Sequence, residues 1–261
     1  MKGYSKMKVI TVTNQKGGTG KTSTTLFMAY GIARQNKNIL VIDLDQQADS
    51  SFSFHVPYDE GKTTFQLLTG NATLPDIIVH ATDKIDLAPA SPDLSQLDLL
   101  LAGKLDPQFI LKDSLKEIDD NYDYIIIDTP PSLNMAVLNA LAASDTVVVP
   151  TQADLYSLKG LNELAQTVEG IKRRSNPDLS IAGILIGRYN ARTVFTKAIT
   201  STLEEMAKQL QASVFKSKIR EAIAVKESQN AFQSIFEYDP HGKVTQDIEA
   251  FLNEFMAKEN K

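Results

Sequence analysis

Cysteine is absent from the 261 residues. Its absence excludes disulfides, thiolate metal sites and cysteine-ligated iron–sulfur clusters, and it fits a reducing cytoplasm. Long apolar runs are missing as well, and no uninterrupted stretch approaches the ~20 residues of a membrane-spanning helix. The opening MKGYSKMKVITVTNQ carries lysines, but its apolar run is short and passes straight into a glycine-rich loop, so a signal peptide is not expected. The three histidines, His55, His80 and His241, are far apart with no ligand spacing, which predicts surface or structural roles. Net charge is −5, so any nucleic-acid binding would need a local basic patch. There is no Pro/Gly/Ser linker, internal repeat or low-complexity tract to divide the chain. With 43% hydrophobic and 23% charged residues, the composition is ordinary for one globular core, and residues 1–261 read as a single domain.

What is present is an alternation of short β-branched runs with longer helical segments, which predicts an α/β fold with a mostly parallel twisted sheet flanked by helices on both faces. Strands are predicted at Val9–Thr13, Ile39–Asp43, Ile85–Ala88, Tyr124–Asp128, Thr146–Pro150, Ile181–Ile186 and Val214–Ile219. Runs such as Ile125-Ile126-Ile127 and Val147-Val148-Val149 are continuously apolar, as strands covered on both faces must be. Helices are predicted near Lys21–Gln35, Pro107–Asp119, Leu133–Ala143, Ser157–Arg174, Val194–Gln211 and Gly242–Lys258. In the fourth, Leu158, Leu161, Leu164, Ala165, Val168 and Ile171 recur at core-packing spacing. Lys172-Arg173-Arg174 at its end reads as charge favourable to the helix dipole. Strand order does not follow from periodicity, but a ligand belongs at the carboxyl ends of the strands.

The first strand runs into Asn14-Gln15-Lys16-Gly17-Gly18-Thr19-Gly20-Lys21-Thr22-Ser23 and then a helix. Glycines at 17, 18 and 20 let backbone N–H groups turn inward around an anion, and the helix adds its positive dipole end. Lys21 would then reach the outer phosphates of a nucleotide and the Thr22 hydroxyl would ligate Mg²⁺. The ordinary Walker A pattern has glycine where this chain has Gln15, and the run instead matches the deviant form K-G-G-x-G-K-T with its extra lysine at 16. A phosphate loop needs carboxylates at neighbouring strand ends. Leu40-Val41-Ile42-Asp43-Leu44-Asp45 supplies two, at i and i+2, and Tyr124-Ile125-Ile126-Ile127-Asp128 is a Walker B strand with the third. Any one of them alone would read as a turn or helix cap.

With these motifs the chain resembles the ParA/MinD branch of deviant Walker P-loop ATPases, from Val9 to the last helix. The matching blocks are DLDQQADS (43–50), APASPDL (88–94), YDYIIIDTPPSL (122–133), LAASDTVVVPTQADLYSLKGL (141–161) and FEYDPHGK (236–243). Within the branch it is most similar to ParA, in the short form without an N-terminal helix-turn-helix domain.

The resemblance implies ATP and Mg²⁺ as cofactors and a nucleotide-sandwich homodimer that forms with ATP. It makes Lys16 the signature lysine reaching the partner protomer's nucleotide, and Lys16, Gly17, Gly18, Thr19, Gly20, Lys21, Thr22 and Ser23 the phosphate-binding residues. Asp45 would position the attacking water, and Thr22, Asp43 and Asp128 would surround Mg²⁺. Arg188, Ile219 and Arg220 would line the base site. As partners it implies nonspecific double-stranded DNA and a ParB-like protein that stimulates hydrolysis, with a cytoplasmic, nucleoid-associated location.

Two blocks depart from the family. DxDPQGN becomes Asp43-Leu44-Asp45-Gln46-Gln47-Ala48-Asp49, which alters the stiffness of the first switch loop. I-P-R-N becomes Ile219-Arg220-Glu221-Ala222, with Glu221 in the place of the family's DNA-contacting arginine. Between 181 and 226 eight basic residues face three acidic ones. By composition that surplus reads equally as solvated helix charge; the resemblance favours a DNA surface made of Arg192, Lys197, Lys216, Lys218 and Arg220.

A MinD-like membrane switch is the alternative, but it needs a basic amphipathic C-terminal helix, and Asp247-Ile248-Glu249-Ala250-Phe251-Leu252-Asn253-Glu254-Phe255-Met256 is acidic. A nitrogenase-reductase-like role needs cysteines. A ParA relative that positions a protein cargo would share the same core.

Overall fold

A computed structural model describes residues 7–57, 59, 61–118, 121–189, 194–209 and 211–259. Eight strands form one sheet: β1 Lys8–Val12, β2 Ile39–Asp43, β3 Val79–Thr82, β4 Ile85–Ala88, β5 Tyr124–Asp128, β6 Thr146–Gln152, β7 Ser180–Tyr189 and β8 Val214–Arg220, in the order β3-β4-β2-β5-β1-β6-β7-β8. Every neighbouring pair is parallel except β3–β4. All seven predicted strands are present. The eighth, β3, is a short half-buried run, Val-His-Ala-Thr, with too little apolar alternation to stand out.

The central strands are apolar throughout because successive side chains feed opposite layers. Ile10, Val41 and Ile126 enter one core, built with the helix Lys21–Ala33 and the helix Lys243–Glu259 through Met28, Ile248, Phe251 and Phe255. Their neighbours Val9, Leu40, Ile42, Ile125 and Ile127 point the other way, against Leu68, Leu97, Leu111 and Ala140. A third cluster lies under the helix Leu155–Arg174 through Leu161, Leu164 and Val168.

The predicted helix over 107–119 is a correction. It divides into a 3₁₀ turn Pro107–Phe109, an α-turn Ile110–Ser114 and a second 3₁₀ turn Leu115–Glu117. In a continuous helix the Leu111 amide would donate to the Pro107 carbonyl. Here it donates to Asn139 Oδ1 (3.0 Å), while Asn139 Nδ2 donates to the Pro107 carbonyl (2.9 Å). A buried carboxamide from another helix is thus inserted into the ladder, and insertion of this kind breaks a helix. Asn139 lies on the helix Met135–Ala143, which starts two residues later than predicted because Asn134 caps it, accepting from the Val137 amide at 3.1 Å.

β1 lies between β5 and β6. The chain builds β2 on one side of β1 and, after β5, crosses to β6 on the other. The strand order therefore reverses at the carboxyl end of β1, where an open α/β sheet leaves a crevice.

Candidate functional site

The loop 13–20 fills that crevice. Gly18 and Gly20 adopt left-handed backbone, φ +73° and +90°, and a Cβ placed at either would meet nothing within 4 Å. The requirement is therefore conformational: only glycine takes these angles without strain. Gly20 is the N-cap of the helix Lys21–Ala33 and offers no side-chain cap, which leaves the first amides of that helix free for an anion. Asn14 braces the loop, donating to the Pro150 carbonyl (2.8 Å) and accepting from the Lys16 amide (3.0 Å).

Lys21 is buried, and its ammonium donates to the Lys16 carbonyl at 3.4 Å. Burial holds its pKa below the usual lysine value, opposed by the charges of Asp128 and Asp45. The carboxylates at the strand ends converge beside it. Asp128, fully buried at the end of β5, accepts on Oδ2 from the Thr22 hydroxyl (2.8 Å) and the Ser50 hydroxyl (2.7 Å), and on Oδ1 from the Thr129 amide (3.0 Å). Asp43, equally buried at the end of β2, accepts from the Asp45 amide (3.0 Å), the Ser51 amide (2.9 Å) and the Ser51 hydroxyl (2.8 Å). The register sets them side by side, Asp43 opposite Asp128.

Burial pushes both carboxyls up, Asp43 further because the Asp128 charge adds to it, while their hydrogen-bond donors oppose the rise. Neither forms an ion pair among the described residues, so the two share a dry, negative position that favours a cation or a proton. The donor atoms are all hard oxygens, carboxylate and hydroxyl. That set suits Mg²⁺, which keeps several waters and needs only one or two protein ligands beside substrate phosphates. Among the described residues no group of three or more His, Cys, Asp or Glu side chains is placed to hold a metal.

Asp45 lies just beyond β2, nearly buried, with Oδ1 accepting from the Gln47 amide (3.0 Å). The turn it opens carries Ala48 in left-handed backbone, φ +54°, the position where the resembling family has glycine. Lys16 pairs through its ammonium with Asp154 Oδ2. Asp154 also caps the helix Leu155–Arg174, accepting from the Ser157 amide at 2.9 Å.

From Thr19, Gly20 and Ser23 a cavity of about 150 Å³ extends between Phe27, Leu185, Ile219 and Val225, lined also by Arg188, Arg220 and Glu221. The predicted base-site residues Arg188, Ile219 and Arg220 thus line one continuous space with the loop. Of the predicted DNA residues, Lys216 and Arg220 are exposed on the last strand of the sheet, and the Lys218 ammonium lies 4.5 Å from the Tyr189 ring centroid. Arg192 lies outside the described residues, and of Lys197 only its place in the helix Val194–Gln209 is described. Sequence reasoning missed Ser50, Ser51 and Asp154. Ser50 and Asp154 sit inside blocks already singled out and Ser51 directly follows one, but only the fold brings Ser50 to a strand end 78 residues away. Among the described residues no helix is long and apolar enough to cross a membrane.

The chain is similar to known proteins over most of its length. A family model described as an AAA domain matches residues 7–181. The chain is 34% identical to the sporulation initiation inhibitor protein Soj of Bacillus subtilis over 90% of its length and 93% of the relative's. To the chromosome partitioning protein ParA of Myxococcus xanthus it is 31% identical over 97% of this chain and 89% of that one. Among solved structures, cobyrinic acid a,c-diamide synthase from Mycobacterium smegmatis, with bound ATP analog and magnesium, superposes with a TM-score of 0.76 at 28% identity, covering 91% of this chain and 98% of the other.

Proposed function

Since the chain belongs to the ParA/Soj family of P-loop partition ATPases, we propose that it hydrolyses ATP with Mg²⁺, dimerises around the nucleotide, binds duplex DNA without reading sequence, and is released when a ParB-like protein stimulates hydrolysis. The observation that supports this reading most directly is the convergence of Lys21, Thr22, Asp43 and Asp128 at the mouth of a glycine loop whose helix start is uncapped.

Each residue has a distinct task. Gly18 and Gly20 turn the backbone so that its amides face the phosphates, and Lys21 neutralises their outer charge at close range, where burial makes its field strong. Thr22, Asp43 and Asp128 would hold Mg²⁺, which would supply positive charge against the charge of the phosphates. Asp45 orients a water for attack and accepts its hydrogen bond. Lys16 leaves Asp154 and crosses to the partner protomer's nucleotide, so that each subunit completes the other's site. Loss of the terminal phosphate weakens that attraction and loosens the dimer.

Lys216 and Lys218, with Arg192 and Lys197, would meet the phosphate backbone, and dimerisation would double their number and couple DNA affinity to nucleotide state. The test is binding to arbitrary-sequence duplex with no nucleotide, with ADP and with a non-hydrolysable ATP analogue, across salt. Binding confined to the analogue, weakening steeply with salt, is the expected result. Changing Arg192 and Lys218 together to Glu should abolish it with nucleotide affinity intact. A dimer that forms with the analogue and still ignores DNA would leave the ATPase switch and move its track elsewhere.

A further inference from the structure

β8 is the terminal strand of the sheet, and an end strand exposes a row of backbone donors. Here two acids on the helix Lys243–Glu259, seven residues apart, cover that row. Glu254 accepts from the Lys216 amide (3.0 Å) and the Ser217 amide (2.9 Å), and Asp247 accepts from the Arg220 amide (3.1 Å). Asp247 does more than cover the edge. It receives the whole guanidinium fork of Arg220, from Nε at 2.5 Å to Oδ2 and from Nη2 at 2.7 Å to Oδ1.

Lys216, Lys218 and Arg220 alternate along β8 and so belong to one face of it. Among the described residues no carboxylate of this helix pairs with the Lys216 ammonium, whereas Arg220 is bound by two parallel charge-assisted hydrogen bonds. That is the same geometry by which arginine grips a phosphate.

We propose that Asp247 is an intramolecular stand-in for a DNA phosphate, which masks Arg220 and sets the affinity of the β8 surface for duplex DNA. The proposal rests on the DNA-binding reading given above. The arginine side chain is 45% exposed and the aspartate 16%, so a phosphate can approach the fork from solvent and displace the carboxylate. The pair is bidentate, the geometry in which an ion pair at the surface holds best, so the acceptor that competes for the fork is one that can also take both hydrogen bonds, as a phosphate does. Because each protomer carries one such mask, two arginines of a dimer would turn to DNA phosphates as the masks open, and the chain is thereby held to weak binding until a duplex is presented at close range.

The experiment measures affinity for arbitrary-sequence duplex, with the non-hydrolysable ATP analogue, across salt. Asp247→Asn keeps an oxygen for the Arg220 amide but gives up the charge. It should tighten binding about fivefold to tenfold near 0.1 M salt and steepen the log–log salt slope by about 0.9 for each additional phosphate neutralised. In an Arg220→Gln background, at analogue concentrations that saturate its own measured nucleotide affinity because Arg220 also lines the base cavity, Asp247→Asn should leave the slope unchanged, because no fork is released. Equal changes of slope in both backgrounds would overturn the mask and reduce Asp247 to a general charge effect, and so would an unchanged slope in Asp247→Asn alone. Asp247→Ser, which also lacks the charge, should repeat the steepening; thermal unfolding checks that each variant is folded. Failure of both wild type and Asp247→Asn to bind DNA in any nucleotide state would instead sink the DNA reading itself.

Discussion

Lys16 Nζ forms an ion pair with Asp154, the residue that caps the helix Leu155–Arg174. Lys16 is therefore held within its own chain, on the β6 side of the loop. Burial pushes the Asp154 carboxyl up, but hydrogen bonds from Lys16 and from the Ser157 amide outweigh it and the net shift is downward. The Asp154 carboxyl is therefore ionised at neutral pH. Both side chains are about a quarter to a third exposed, and pairs so placed contribute only about 0–1 kcal/mol. In the proposed dimer a triphosphate on the partner subunit, with several charges, would compete for the lysine.

Asp154→Asn separates the two roles of that aspartate, since Asn caps a helix as well as Asp does. Released from its pair, Lys16 should reach a partner more readily, and the ATP-analogue concentration at half-maximal dimer should fall by about twofold to fivefold, in line with a weak pair. Lys16→Ala should retain nucleotide binding and lose the dimer. Light scattering or sedimentation against analogue concentration measures both.

Asp45→Ala should lower hydrolysis by about 10²-fold or more, the usual scale for a positioned proton acceptor, with the ATP-bound dimer persisting. The Gln47 amide loses its acceptor, so nucleotide affinity is measured alongside: unchanged affinity with slow turnover identifies the water-positioning role, and unchanged turnover assigns that role to another residue.

Ala48→Gly should stabilise the protein. An alanine in left-handed backbone is strained by about 1–2 kcal/mol, and glycine costs roughly 0.5–1 kcal/mol in unfolded-chain entropy. The expected net gain is about 0.5–1 kcal/mol, a rise in Tm of roughly 1–4 °C for a chain of this size. Calorimetry checks it; a fall in Tm would mean that the turn between Asp45 and Asp49 does not need that conformation.

Gly183→Ala should destabilise. A Cβ at Gly183, on β7, would lie 2.7 Å from Phe215 Cε2 and 2.9 Å from the Ser213 carbonyl oxygen. Phe215 is buried and packs edge-on against Phe251 at 5.1 Å, and the carbonyl belongs to the backbone leading into β8, so neither yields freely. Overpacking of this kind costs about 1–3 kcal/mol, read from urea unfolding, and Gly183→Val should cost more.

The chain's own residues determined the phosphate loop, since glycine, lysine and threonine at that spacing after an apolar strand are local requirements of backbone geometry and charge. They determined most of the strands too, because burial on both faces writes itself into consecutive residues such as Ile125-Ile126-Ile127. The tertiary structure decided what local pattern does not encode. It decided that β5 and β6 flank β1, which is a matter of crossover path. It decided that Thr22 and Ser50 share one oxygen of Asp128, and that Asp43 lies opposite it, because each segment reaches that point from a different strand. It broke the helix after Pro107 by inserting Asn139, and it set Asp154 on Lys16 and Asp247 on Arg220, pairs 138 and 27 residues apart. Periodicity reports which way a side chain faces, but its partner is chosen only when the sheet closes, and for an ion that partner decides whether the charge is available for function.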